Sequence, residues 1–158
     1  TKAAWLSVID PLLRQHKDHL SIVFHPFPLP YHHSAFDAAQ AAMYIAAELP
    51  DLPFANVASA LFHVQASYQT DATANISQRT VFSEKLAPVA VHLGIAKSAF
   101  VAHMRNSDSS NHQARVAWKY GAARGVYGTP TFAIDGVVDG ALAAWSLEDW
   151  ESWLATPP

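Results

Sequence analysis

The side chains best suited to chemistry are histidines around a proline-rich segment. His25, His32 and His33 flank the Pro-Phe-Pro-Leu-Pro run at 26–30, and Asp37 follows His33 by four residues, a spacing that shares one helix face. Zinc or copper accepts three imidazoles and a carboxylate as ligands. However, no tight His-x-x-x-His spacing occurs. The sequence therefore favours no metal, with the three histidines as weak candidates and helix capping as the plainer interpretation.

The 158-residue chain contains no cysteine, which excludes disulfides, thiolate metal sites and thiol nucleophiles within these residues. It also has no glycine-rich phosphate loop, nucleophile elbow or convincing carboxylate pair, so hydrolase and nucleotide-dependent functions lack support. A net charge of −3 gives no electrostatic case for nucleic acid. No apolar run approaches the roughly 20 residues that a transmembrane helix needs.

A second feature that bears on function is the loop Gly-Val-Tyr-Gly-Thr-Pro at 125–130, which precedes a short apolar run. Proline cannot donate to a β-ladder, so Pro130 belongs at the start of a strand. Residues 131–134 are predicted to be that strand. Asp135-Gly136 predicts a two-residue hairpin turn, and the return strand begins at Val137.

The elements that must position these residues are mostly helices. The run Leu-Ser-Ile-Val-Phe at 20–24 predicts a buried strand, and residues 70–77 and 106–111 are predicted to be polar connections. Ser146-Leu-Glu-Asp149 resembles a capping box at the start of a final helix. The spacing of apolar residues predicts further helices over 2–16, 34–48, 54–67 and 78–92, a short one capped by Ser98, and one over 111–123.

This order predicts an α/β fold in which a helical block separates one strand from a later antiparallel pair. A sheet of only three strands is small for so many helices. A strand before Thr1, joined by helix 2–16 to strand 20–24, would complete a right-handed βαβ unit. We therefore expect the first strand of the sheet to be absent from these residues.

Three segments, in this order, resemble the DsbA-like thioredoxin-fold family. Residues 23–29 resemble its second strand and Pro-Phe-Pro-Leu exit, 60–65 resemble the Leu-Phe-x-x-Gln of its helical insertion, and 125–136 resemble its cis-proline segment. The resemblance is closest to plant and algal thioredoxin-superfamily proteins with Phe-Pro-Leu-Pro-Tyr-His and Gly-Val-Tyr-Gly-Thr-Pro. It implies one thioredoxin-like domain over 1–158, with the helical insertion at about 34–123.

The resemblance also implies site residues. The Thr129–Pro130 bond is expected to be cis, and Gly128, Thr129 and Pro130 are expected to contact a protein or peptide partner, because working relatives pair an extended substrate with this loop. The family's Cys-x-x-Cys would fall at or just before Thr1. Thr1 is therefore the possible position of the second active-site cysteine.

Three functions remain open at this point. The first is a non-catalytic binding or structural module. The second is a thiol-disulfide oxidoreductase or isomerase whose active-site segment lies upstream of Thr1. The third is a glutathione-dependent isomerase or transferase, in which Thr1 supplies a hydroxyl, and glutathione is the one candidate cofactor. The compartment is unknown, and the sequon at 75–77 only weakly favours the secretory pathway or an organelle lumen.

Three tryptophans crowd the C-terminus, at positions 145, 150 and 153. We expect Trp150 to anchor the core, with Trp145 and Trp153 partly exposed beside it. The alternative is a partner surface, because exposed aromatic residues are enriched at interfaces.

Overall fold

A computed structural model describes residues 2–18, 20–106 and 108–156 of the chain. The backbone divides into two compact units. The terminal unit comprises Thr1–Phe24 and Ala122–Pro158, and the helical unit comprises His25–Gly121. None of the helices in the described ranges is long and apolar enough to cross a membrane.

The helical unit is built around one apolar core in which Ile45, Val57, Leu86 and Phe100 are completely buried. The apolar periodicity that predicts helices over 34–48 and 78–92 is confirmed, because these side chains form the core. The predicted helix over 54–67 is shorter than expected, since it ends at His63 and is followed by a 3₁₀ turn. The elements are α3 (Ala35–Glu48), α4 (Phe54–His63), a 3₁₀ turn (Gln65–Tyr68), α5 (Thr70–Thr73), α6 (Gln78–Thr80), a π-helical segment (Val81–Leu86), α7 (Ala87–His92), α8 (Lys97–Asn106) and α9 (Asp108–Ala123).

The terminal unit combines an N-terminal helix with a C-terminal hairpin and helix. Its elements are α1 (Lys2–Ala4), a π-helical segment (Trp5–Ile9), α2 (Asp10–Gln15), β1 (Phe132–Ile134), β2 (Val137–Asp139), a 3₁₀ turn (Gly140–Ala144) and α10 (Leu147–Leu154). β1 and β2 are antiparallel, with Ile134 opposite Val137. Positive φ angles at Asp135 and Gly136 form the predicted two-residue turn.

Both π-helical segments lie next to prolines. Pro11 and Pro88 each lack the N–H that would bond the carbonyl four residues earlier, and a proline ring clashes with that carbonyl in a regular α-helix. Those earlier residues, Ser7 and Glu84, lie inside the two π-helical segments. The wider turns therefore allow each helix to continue past its proline without a break.

Two helix ends are specified by their own sequences, as predicted. Gly94 adopts φ +99°, its N–H donates to the Val91 carbonyl, and the Ile95 N–H donates to the Ala90 carbonyl, which is the Schellman arrangement. At the start of α10, Ser146 accepts a hydrogen bond from the Asp149 N–H, and the Asp149 carboxylate accepts one from the Ser146 N–H. These bonds satisfy backbone groups that a helix cannot pair internally.

The predicted strand at 20–24 is wrong. The segment contains no strand, and in the described ranges the sheet consists of β1 and β2 alone. Val23 is 73% exposed, whereas Phe24 packs its ring 5.1 Å from that of Trp5. A β-rich sequence becomes a strand only where another strand pairs with it, and no other described strand does so here. The absence of a first strand stays a prediction.

Three local boundaries also differ from the predictions. Residues 70–77 include α5, because the buried Thr73 hydroxyl donates to the Gln69 carbonyl and stabilises this turn. Ser98 lies inside α8, which begins one residue earlier. The predicted polar turn at 106–111 is mostly helical, because α9 begins at Asp108. Polar residues tolerate solvent-facing helix positions, so their composition does not distinguish such a turn from a helix.

Candidate functional site

The loop between α9 and β1 is the part of the structure that the sequence singles out for partner binding. Gly125 leaves the helix with φ +76°, its N–H donating to the Ala122 carbonyl. Tyr127 is 94% exposed, whereas Val126 and residues 128–130 are half-buried. The Thr129–Pro130 peptide bond is cis. The loop therefore combines half-buried residues with one almost fully solvated aromatic ring.

A hydrogen bond and an aromatic cluster hold this loop in place. The Thr131 hydroxyl donates to the Gly128 carbonyl at 2.8 Å. One residue later, Phe132 packs edge-on against Trp150, with ring centroids 5.5 Å apart. Trp145 and Trp153 contact the same indole. Trp150 is buried and Trp153 is exposed, which confirms the predicted core anchor with partly exposed neighbours.

The possible catalytic position, Thr1, lies outside the described residues. The chain contains no cysteine, so none of the 158 residues supplies a thiol. Residues 125–130, the cis-proline loop, are thus present in a chain without a thiol nucleophile.

The three candidate histidines have separate partners. His25 stacks on Tyr120 with ring centroids 4.4 Å apart. His32 packs edge-on against Tyr31, and His33 Nδ1 is 3.0 Å from the Thr73 hydroxyl. Within the described ranges, no three His, Cys, Asp or Glu side chains are grouped as a metal would require. His33 therefore links the start of α3 to α5, and α3 has no side-chain capping hydrogen bond, so the predicted capping role is not observed.

His25 instead lies beside a shallow apolar groove of about 650 Å³ between α3 and α9. The groove contains Met43 and Val116, and the rings of His25, His112 and Tyr120 lie along it. The phenyl ring of Phe27 stacks on Trp118 at 5.7 Å. These contacts explain why the proline-rich segment runs alongside α9, since His25 and Phe27 each place a ring against an aromatic side chain of that helix.

Asp37 is a buried carboxylate in the first turn of α3, with an altered acidity. Burial raises its pKa, although the hydrogen bond from Gln78 Nε2 at 2.8 Å and the charge of His33 act in the opposite direction. Desolvation is the largest of these effects, because the loss of water destabilises the carboxylate more than the hydrogen bond and the charge of His33 stabilise it. The fold therefore favours the protonated form of Asp37 relative to the unfolded chain.

Replacing Asp37 with asparagine is expected to stabilise the protein near neutral pH. A carboxyl group with a raised pKa in the folded state stabilises the protein at pH values below its ordinary pKa of 3.8. This stabilisation is lost as the pH rises through the folded-state pKa, so the ionised group is unfavourable near neutrality. Asparagine is uncharged at every pH and can still accept from Gln78. Urea unfolding followed by circular dichroism should show an advantage for Asp37→Asn near neutrality that shrinks on acidification. Asp51→Asn, at an exposed carboxylate of the same unit, is the control. A deficit near neutrality that stays constant with pH would contradict this expectation.

Comparison with known proteins gives one match. A model of the DSBA-like thioredoxin domain family matches residues 5–153. The chain belongs to this family. Neither the curated proteins nor the solved structures that were searched gave a match to it.

The match to the DSBA-like family includes α9, the cis-proline loop and the hairpin, so the loop lies within the family's domain. This DSBA-like domain has no cysteine and is therefore redox-inactive in the residues given. Tyr127 was not among the residues predicted to contact a partner. Gly125 and Gly128 lie on either side of it in the sequence, which could have indicated its exposure, because a bulky side chain in a glycine-containing loop rarely reaches a core.

Proposed function

We propose that this DSBA-like domain is a non-redox binding module that holds an extended segment of a polypeptide partner at Gly128, Thr129 and Pro130. The observation that carries the proposal is the 94% exposed Tyr127 directly before these three half-buried residues, in a chain that has no cysteine. A DSBA-like domain without thiols can still contact a polypeptide, but it cannot exchange disulfides with one.

The sheet supports the choice of an extended partner. β1 follows the loop directly and pairs with β2 along one edge, and in the described part of the chain no strand pairs with its other edge. Unpaired backbone N–H and C=O groups at a strand edge are a template for an added strand. A partner that reaches the loop can therefore continue along β1 by main-chain pairing.

Tyr127 supplies the side-chain part of the contact. Tyrosine offers a large apolar ring and a polar hydroxyl at low conformational cost, and it is enriched among the residues that dominate binding energy. Gly128 and Pro130 add little side-chain bulk on the loop. A partner backbone can therefore approach the loop closely beside the tyrosine ring.

The proposal predicts that Tyr127→Ala weakens polypeptide binding about tenfold, which corresponds to about 1.4 kcal/mol. The probe is reduced, carboxymethylated α-lactalbumin, a permanently unfolded polypeptide without free thiols, and the measurement is its dissociation constant by fluorescence anisotropy. Tyr31→Ala, at a 67% exposed tyrosine of the helical unit, is the matched control and should leave binding unchanged. No binding by the parent chain, or equal loss in both variants, would contradict the proposal.

Thiol-disulfide exchange is a second candidate, favoured by the family match. It requires a cysteine outside these 158 residues, so its test is insulin reduction by the full-length protein and loss of that activity on Cys→Ser substitution. Glutathione is the cofactor to be tested alongside. A calorimetric titration without heat at millimolar glutathione would remove the isomerase or transferase alternative.

A further inference from the structure

The helical unit contains a polar recess that the binding module described above does not use. It has a volume of about 430 Å³ and is formed by residues of α3, α6, α8, α9 and the adjoining π-helical segment. That volume is within the range of small-molecule sites. The residues that give it chemical character are Gln40, Arg79, Arg105, Asn106 and Asn111.

The charged side chains among the described residues that line the recess are both cationic, in a protein whose net charge is −3. They are Arg79 and Arg105, and neither guanidinium group forms an ion pair or hydrogen bond with another described residue. A guanidinium presents five donors in a planar fork that matches the oxygens of a carboxylate or phosphate. Two such groups at one recess therefore select for an anion.

A buried amide extends this donor set. Gln40 is only 3% exposed, and its Oε1 accepts a hydrogen bond from Asn111 Nδ2. Asn111 Oδ1 in turn accepts from Arg115 Nε at 2.7 Å, which fixes the direction of the chain of bonds. Gln40 also lines the recess, and its Nε2 group is a hydrogen-bond donor from which a ligand oxygen can accept.

One acidic side chain close to Gln40 in the sequence is already engaged. The Asp37 carboxylate, one helical turn before Gln40, accepts from Gln78 Nε2, another residue of the recess. Phe82 and Met104 are buried side chains that line the same recess and supply an apolar surface. Donors and an apolar surface together suit an organic anion better than a hydrated inorganic ion.

We propose that this recess binds a small organic oxyanion, a carboxylate or phosphate ester with an apolar part, held by Arg79, Arg105 and Gln40. The guanidinium groups bind the anionic oxygens, Gln40 Nε2 donates to a further oxygen, and the apolar part lies on Phe82 and Met104. The site is independent of the cis-proline loop.

The test uses phthalate and phenyl phosphate as probes, because both are aromatic and they differ in the anionic group. Dissociation constants are measured by isothermal titration calorimetry at constant ionic strength, with sodium sulfate as the non-aromatic comparison. At least one probe should bind more tightly than sulfate. The tighter probe shows whether the recess prefers a carboxylate or a phosphate ester. Failure of both probes to bind at millimolar concentration overturns the proposal.

Variants assign the binding to the recess. The double variant Arg79→Gln/Arg105→Gln should weaken the better probe about tenfold or more, because it removes charge-assisted hydrogen bonds. Lys119→Gln removes a cation at an exposed position of α9 outside the recess and should change affinity by less than about twofold. Asn106→Asp places a negative charge at an exposed lining residue and should also weaken binding. Equal affinity in the parent and the double variant, or an equal loss in Lys119→Gln, overturns the assignment.

Discussion

Replacing Trp150 with alanine is expected to lower the free energy of unfolding by about 3–5 kcal/mol, the usual cost of removing a large buried aromatic side chain. Trp150 is buried and contacts the rings of Phe132, Trp145 and Trp153, at centroid distances of 5.5, 4.8 and 6.1 Å. The contact with Phe132 joins α10 to β1, and the contact with Trp145 joins it to the segment before the helix. The substitution therefore removes the support of the cis-proline loop as well as core volume.

Urea denaturation followed by circular dichroism measures this loss. Trp150→Phe should cost less than the alanine substitution, because an aromatic ring remains and because the indole Nε1 has no hydrogen-bond partner among the described residues. Trp153→Ala is the matched control, since it removes the same side chain from an exposed position of the same helix. Equal losses at positions 150 and 153 would contradict the role of Trp150 as the anchor.

Replacing Phe100 with alanine is expected to have a comparable effect on the helical unit, about 3–5 kcal/mol. Phe100 is completely buried on α8, and its ring lies 5.8 Å from that of Tyr44 on α3. It belongs to the same core as Ile45 and Leu86, so a cavity at this position would separate several helices at once. Close-packed interiors relax only partly around such a cavity.

Hydrogen exchange of the α8 amides, together with urea unfolding, tests the Phe100→Ala prediction. Val91→Ala provides the control, because Val91 lies on α7 and is half exposed. Its truncation should change stability by about 0.5 kcal/mol or less, as is usual for surface positions. A loss below about 1 kcal/mol for Phe100→Ala would show that the core does not depend on this ring.

Features that depend on a few neighbouring residues were predictable from the sequence. The Asp135-Gly136 turn requires positive φ angles that these residue types accept, and both are observed. Gly94 and the Ser146–Asp149 pair are similar cases, because each motif places its own donors and acceptors within one helical turn. Apolar periodicity predicted the long helices for the same reason.

Features that depend on distant residues were not predictable in the same way. Residues 20–24 have the composition of a strand, but strand formation depends on a partner elsewhere in the chain. The polar recess is built from five elements between Gln40 and Asn111, and no short motif indicates that these side chains meet. The cis-proline loop could be predicted because family resemblance supplied the non-local information. The exposure of Tyr127 required the structure itself.

The two π-helical turns at Trp5–Ile9 and Val81–Leu86 have a consequence for how this sequence can change over evolutionary time. Such a turn contains one more residue than an α-helical turn, so it corresponds geometrically to a one-residue insertion. Removing that residue would restore a regular helix and keep the buried faces on both sides aligned. It would also return Pro11 or Pro88 to a turn too narrow for its ring. Length and proline content are therefore linked in both helices, and a descendant that loses either proline is free to shorten that helix by one residue.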